Sequence, residues 1–174
     1  MKRCSLLHQV LSLSVLAAFT VLVLKGAGAD QPDFSGSYTL SEIKGSQKAD
    51  KFTPLVLRVV QKEHNIEITR IEDGKATSNS FKLDGSKSAY TNVDAVKGVG
   101  SARLKGKGLI IETEIASRPY PNKPSVQIKE KQQWKLSPDL KTLTIRTDVD
   151  FPNSVLQGFQ LIQPWTEIYT KDKP

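Results

Sequence analysis

The amino-acid sequence predicts an all-β chain, an antiparallel up-and-down barrel of about 8–10 strands. Three observations predict it. Apolar and polar residues alternate with period two in short runs from Phe34 to Tyr169. The runs are separated by Gly, Pro, Asn, Asp or Lys-rich junctions, many short enough for hairpins. No stretch keeps helical spacing of its apolar residues for more than two turns. A barrel or a closed sandwich leaves no long unpaired edge, and of the two the barrel is preferred. No internal repeat of the length used by propellers or solenoids is visible.

Residues 1–29 read as a secretory signal peptide: Lys2 and Arg3 give a positive start, Val10–Leu24 an uncharged run, and Ala27-Gly28-Ala29 the small residues of a cleavage site. A 15-residue helix rises only about 22 Å against a hydrocarbon core of roughly 30 Å. A spanning anchor is therefore disfavoured, and no stable membrane insertion is expected after cleavage near Ala29. Cys4 precedes the apolar run, the wrong place for lipidation. Residues 30–174 form the single β-barrel domain, large enough to bury about two-thirds of its unfolded surface. The full chain carries +7; losing Lys2, Arg3 and Lys25 leaves 22 cations against 18 acids, or +4. This domain contains no cysteine, so it needs no disulfide and is compatible with an oxidising compartment. The expected location is periplasmic or extracellular.

The strands follow in order. Phe34, Gly36, Tyr38 and Leu40 share one face of the first; Leu55, Leu57 and Val59 alternate in the second, where Val56 and Val60 make the other face apolar too. Ile66 and Ile68 mark the third. Glu63-His64-Asn65 and Asp73-Gly74-Lys75 are hairpin junctions. Phe81 and Leu83 precede an Asp84-Gly85 turn, and Ala89, Thr91 and Val93 form the run after it. A Gly-rich hairpin, Gly98 to Gly108, leads to a strand in which Ile111, Thr113 and Ile115 oppose Glu112 and Glu114. Pro119, Pro121 and Pro124 make Ser117–Ser125 an exposed connection. Lys129, Lys131, Gln133 and Lys135 then face out opposite Val126, Ile128, Trp134 and Leu136. After a Ser137-Pro138-Asp139-Leu140 turn, Leu143, Ile145, Thr147 and Val149 define the next strand, and Trp165 to Thr170 the last.

The stretch Asp33-Phe34-Ser35-Gly36-Ser37-Tyr38-Thr39-Leu40, the segment Trp134 to Ile145 and the closing Glu167-Ile168-Tyr169 resemble small exported bacterial lipocalin-like barrels. The resemblance covers residues 30–174 and implies a barrel of lipocalin or calycin type. The Gly-x-Trp of true lipocalins is Gly36-Ser37-Tyr38 here. If Tyr38 takes over the closing of one barrel end, its hydroxyl is expected to meet water.

No constellation specifies a reaction. His64, the one imidazole after residue 29, sits at a turn with no nucleophile or orienting acid beside it. Nucleophile elbows, phosphate loops and metal-ligand spacings are lacking, and the glycines near Gly98 lack the following helix that phosphate binding uses. No enzyme activity, cofactor or metal is expected. Nucleic acid is not an expected partner, because the basic residues are not interleaved with aromatics. Arg103, Lys105, Lys107 and Lys97 form either a basic rim or a solvated edge defended by lysine.

Glu130 and Gln132 share strand parity with Trp134. Either a bulge or strand end returns them to water, or they stand inside as a structural network or ligand site. The connection Asp150–Pro164 is rich in Phe151, Val155, Leu156, Phe159, Leu161 and Ile162, suiting a plug or the lid of a cavity. The expected function is binding of a small hydrophobic ligand, with Glu130, Gln132 and Trp134 inside and Tyr90, Phe151 and Phe159 near the mouth. The alternative is an envelope module with a filled core that contacts a protein or polysaccharide.

Overall fold

Period-two alternation in a sheet puts every second side chain on one face, and closing the sheet makes that face an interior. The computed structural model describes residues 31–45, 54–92, 94–117, 125–152 and 163–173. Ten strands follow one another: β1 (Gly36–Lys44), β2 (Val56–Lys62), β3 (Asn65–Glu72), β4 (Lys75–Lys82), β5 (Ser88–Thr91), β6 (Lys97–Lys105), β7 (Gly108–Ser117), β8 (Val126–Leu136), β9 (Thr142–Asp150) and β10 (Trp165–Lys171). None of the described residues is helical. The signal segment, the three prolines of the β7–β8 connection, Val93 and the apolar residues Val155 to Ile162 lie outside the described residues.

All pairings are antiparallel, and the sheet order β4-β3-β2-β1-β10-β9-β8-β7-β6-β5 is a meander whose first and last strands are joined through β1 and β10. The result is a nearly closed barrel. Its remaining seam lies between β4 and β5, which share no backbone ladder. There the Asn79 carboxamide stands in for a strand: Nδ2 donates to Thr91 O at 2.9 Å and Oδ1 accepts from Thr91 N at 2.8 Å. Phe81 and Tyr90 stack alongside, ring centroids 6.3 Å apart. The β4–β5 connection is tied to β6 by Gly85 N donating to Ala102 O.

Turn chemistry sets the registers. Asp73 and Gly74 both have positive φ, 47° and 75°, as a two-residue turn matched to strand twist requires. The core contains Phe34, Tyr38, Ile66, Phe81, Leu109 and Trp134, each 1% exposed or less. Outside, the registers bring opposite charges side by side: Glu114↔Lys129↔Asp150 and Glu112↔Lys131↔Asp148 run across β7, β8 and β9.

Two expectations need correction. Tyr38 closes its end dry: its hydroxyl is buried and donates to Phe34 O at 2.9 Å, and burial with nearby Asp33 pushes its pKa up to about 12. The Phe-x-Gly-x-Tyr pattern thus makes a local clasp, with Gly36 leaving room for Lys171, whose Nζ donates to Ser35 O at 2.7 Å. On β5 the inward residue is Tyr90, and Ala89 faces out, because four residues carry too little alternation to declare a face. The Gly98–Gly108 hairpin is present as β6, a turn at Gly106-Lys107 and the start of β7; a Cβ at Gly100 would collide with the Phe81 ring. Of the two readings of the basic residues, the solvated edge fits: Lys97 and Lys105 end opposite tips of β6, and Arg103 joins Glu112, itself paired with Lys131, so no continuous basic rim forms.

Replacing Asn79 by Ala removes two hydrogen bonds at the seam and should cost about 1–3 kcal/mol in urea unfolding. Hydrogen exchange at Thr91 should quicken more than at Tyr38. Equal protection of Thr91 in both proteins would show that Asn79 does not hold the seam.

Candidate functional site

The two ends of the barrel differ. The end carrying the β2–β3, β6–β7 and β8–β9 turns is packed by Phe34, Tyr38, Phe81, Leu109, Trp134 and Leu143. At the opposite end the interior opens into a cavity of about 330 Å³, within the range of small-molecule sites. Its apolar wall is Leu57, Val96, Ile115, Ile128, Ile145 and Val149, with Phe151 and Trp165; its polar wall is Arg70, Tyr90, Asn92, Asp94, Glu130, Gln132 and Glu167.

The sequence-derived candidates take distinct places. Glu130 and Gln132 both line the cavity, since β8 runs unbroken in register with β7 and β9 and neither a bulge nor a strand end returns them to water. Tyr90 is a buried wall residue, 7% exposed, rather than a residue of the rim. Phe151 lines the cavity just past β9. Trp134 lies one step deeper, its ring edge-on to Phe34 at 6.2 Å. Phe159 lies outside the described residues.

Gln132 organises the polar wall. Its Oε1 accepts from Trp134 Nε1 at 2.9 Å and from Arg70 Nη2 at 3.1 Å, while its Nε2 donates to Glu130 Oε1 at 2.6 Å. The indole and the guanidinium can only donate and an ionised carboxylate only accepts, so these partners dictate the amide's orientation. Arg70 is 7% exposed, and its Nη1 is buried without a hydrogen-bond partner among the described residues. Thr147 Oγ1, fully buried on β9, is in the same position.

A second carboxyl sits on β10. Glu167, 3% exposed, accepts from Trp165 Nε1 at 2.6 Å and meets the Tyr169 hydroxyl at 3.0 Å. That hydroxyl also lies 2.9 Å from Pro54 O, so it has one proton for two acceptors. A proton on Glu167 satisfies both contacts.

Burial raises Glu167 above the ordinary carboxyl range; the Trp165 and Tyr169 hydrogen bonds and Arg70 pull the other way, and Glu130 adds to the rise. Glu130 is likewise raised by burial, against Arg70 and Gln132. Glu130 is half-buried and lines the cavity. At the rim, burial raises Glu72 too, helped by Asp73 and Asp94.

Sequence reasoning missed Arg70, Trp165 and Glu167. Parity offered a signal: Arg70 continues the inward series Ile66, Ile68, and Glu167 lies between inward Trp165 and Tyr169. Charge at those positions masked it.

Among solved structures the barrel is similar to the REP1-NXSQ fatty acid transporter, at 12% identity and TM-score 0.56, covering 82% of this chain and 98% of that one. Zebrafish ileal bile acid-binding protein complexed with cholic acid matches at 16% identity and TM-score 0.56, over 80% and 98% of the two chains. The fatty-acid-binding protein 1 of Echinococcus granulosus matches at 14% and 0.55, over 80% and 98%. At these identities the likeness is one of fold. No protein-family model matches the chain. No curated protein matches it either.

Carboxyls with raised pKa hold protons in the folded state that the unfolded chain releases, so stability is full below the ordinary value of 4.5 and declines as pH rises through the raised values. The lowered Asp84, Asp139 and Asp172 act in the opposite sense, below their ordinary 3.8, outside this window. The urea midpoint should therefore fall from pH 4.5 to 8, and Glu167→Gln should flatten the slope. A midpoint that rises over this range would contradict the assignment.

Proposed function

We propose that this chain is an exported, non-enzymatic carrier that takes up one small, mostly hydrophobic molecule in the cavity at the loop end of the barrel. The observation that carries the proposal is the cavity itself: apolar walls around a small set of convergent polar groups, in a barrel whose other end is packed solid. Barrels of about this strand number either fill with side chains or hold one ligand, and this interior does the first at one end and leaves space at the other. The similar solved structures include two named for fatty acids and one complexed with cholic acid, which supports the same kind of cargo.

Within this proposal Glu130, Gln132, Arg70 and Glu167 orient the polar part of the cargo. Leu57, Ile115, Ile128 and Phe151 take its apolar part, and Tyr90 lines one wall. Trp134 serves indirectly, holding Gln132 in place from below. Phe159 belongs to the connection after Phe151, and its proposed place is near the mouth. Export rests on the signal features of residues 1–29 and puts the carrier in the periplasm or outside the cell. The alternative of an envelope module rests on a filled core, and the open end of this barrel is the reason a carrier is preferred.

Native mass spectrometry of protein purified from its own host should show a co-purified lipid-sized molecule, and the protein should take up a fluorescent apolar probe. Ile128→Trp, which fills the cavity without emptying the core, should abolish uptake while keeping the β-type circular dichroism. Undiminished uptake by that variant would remove the cavity from the mechanism. Trp134→Ala is a poorer test, since losing a core tryptophan costs about 3–5 kcal/mol. For export, the mature protein should begin at Asp30; a secreted form that retains Met1 would refute cleavage.

A further inference from the structure

Glu167, Tyr169 and Pro54 connect the protonation of one buried carboxyl to one piece of the cavity wall. Resting on the carrier function proposed above, we propose that they form a proton-operated latch on cargo exchange. While Glu167 is protonated, Tyr169 holds the Pro54 carbonyl and exchange is slow. When Glu167 ionises, Tyr169 turns to it, Pro54 is released and exchange is faster.

The geometry is a fork. The Tyr169 hydroxyl lies 2.9 Å from Pro54 O and 3.0 Å from Glu167 Oε2, with one proton for the two oxygens. Glu167 Oε1 accepts from Trp165 Nε1 at 2.6 Å, so a carboxylic proton belongs on Oε2, against the tyrosine oxygen. A neutral Glu167 then donates to Tyr169, and the tyrosine proton goes to Pro54 O. An ionised Glu167 only accepts, and it draws the tyrosine proton more strongly than a neutral carbonyl does. In the switch the carboxyl proton leaves to solvent and the Tyr169 O–H rotates from Pro54 to Glu167. Tyr169 keeps its own proton throughout, since burial and Glu167 raise it far above the ordinary tyrosine range.

Pro54 is buried, lines the cavity and stands two residues before β2, at the open end. The sheet order places β1 between β2 and β10, so the Tyr169 bond reaches past β1 to hold Pro54. Leu40 N donates to Leu55 O at 2.9 Å, which keeps the next residue in the sheet and confines the release to Pro54. Among the described residues, the charged groups acting on Glu167 are Arg70 from β3, which favours its ionised form, and Glu130 from β8, which opposes it. Glu72, also on β3, acts on Tyr169. The residues beside Glu167 on β1 and β9, Ile43 and Ile145, are apolar.

The test follows the Pro54 carbonyl carbon and the Glu167 carboxyl carbon by NMR of the whole purified protein from pH 4.5 to 8, with stopped-flow exchange of a fluorescent apolar probe. The Pro54 resonance should lose its hydrogen-bond shift in step with ionisation of Glu167, and this measurement needs no variant to fold. Probe association and dissociation should both quicken about three- to tenfold, the effect of one hydrogen bond. Glu167→Gln, whose amide can donate to Tyr169 as the neutral acid does, should hold the slow rates at every pH, and Tyr169→Phe the fast ones. A Pro54 resonance that ignores Glu167, or a Glu167 that does not titrate in this range, would overturn the latch and leave the carrier function standing. Flat exchange rates beside a Pro54 that follows Glu167 would overturn its control of cargo. Failure to take up the probe at all would overturn the carrier function and, with it, that control.

Discussion

Closure of the sheet is the constraint on which the rest depends. A meander of ten strands has two free edges, and an inside exists only where those edges meet. Eight of the strands find backbone partners on both sides, and β1 with β10 joins the beginning of the chain to its end. The seam between β4 and β5 is bridged by the Asn79 side chain, which offers Thr91 the donor and acceptor that a neighbouring strand would have supplied. A carboxamide suits this task because it carries both functions at the spacing of a peptide group. The Phe81–Tyr90 stack adjoins it.

With the sheet closed, the division of the interior decides what the molecule can hold. Large aromatic residues at one end use up the space, and the polar wall at the other prevents similar collapse. Arg70, Glu130, Gln132 and Glu167 resist burial in apolar surroundings, so each is tied to another polar group or to the indole of a neighbouring tryptophan. Gln132 links the two halves: one face of its amide engages the packed Trp134, the other the guanidinium and carboxylate of the cavity. The cavity is therefore built onto the core.

Much of the fold was legible, for specific reasons. Strands such as β7, β8 and β9 are long enough for alternation to declare an inner face, and Glu130 and Gln132 were found by following that parity against their polarity. β5, with four residues, gave no such declaration, and its face was read the wrong way round. Arg70 and Glu167 were passed over because a charged residue ordinarily marks the outside of a strand. The hairpin from Gly98 to Gly108 was legible, but what demands glycine at Gly100 is a phenyl ring from β4, which the local sequence does not announce.

Alternation along the chain by itself determined that this is an antiparallel all-β chain, where most strands run and which residues of the longer strands share a face, because strand parity is a local property that needs no knowledge of the neighbours. The tertiary structure decided which end is packed and which is open, that Tyr38 is dry, and that Arg70, Glu130, Gln132 and Glu167 share one wall. Those facts depend on the order and register in which distant strands meet. Registers are set by packing across the whole sheet, and no single strand contains that information.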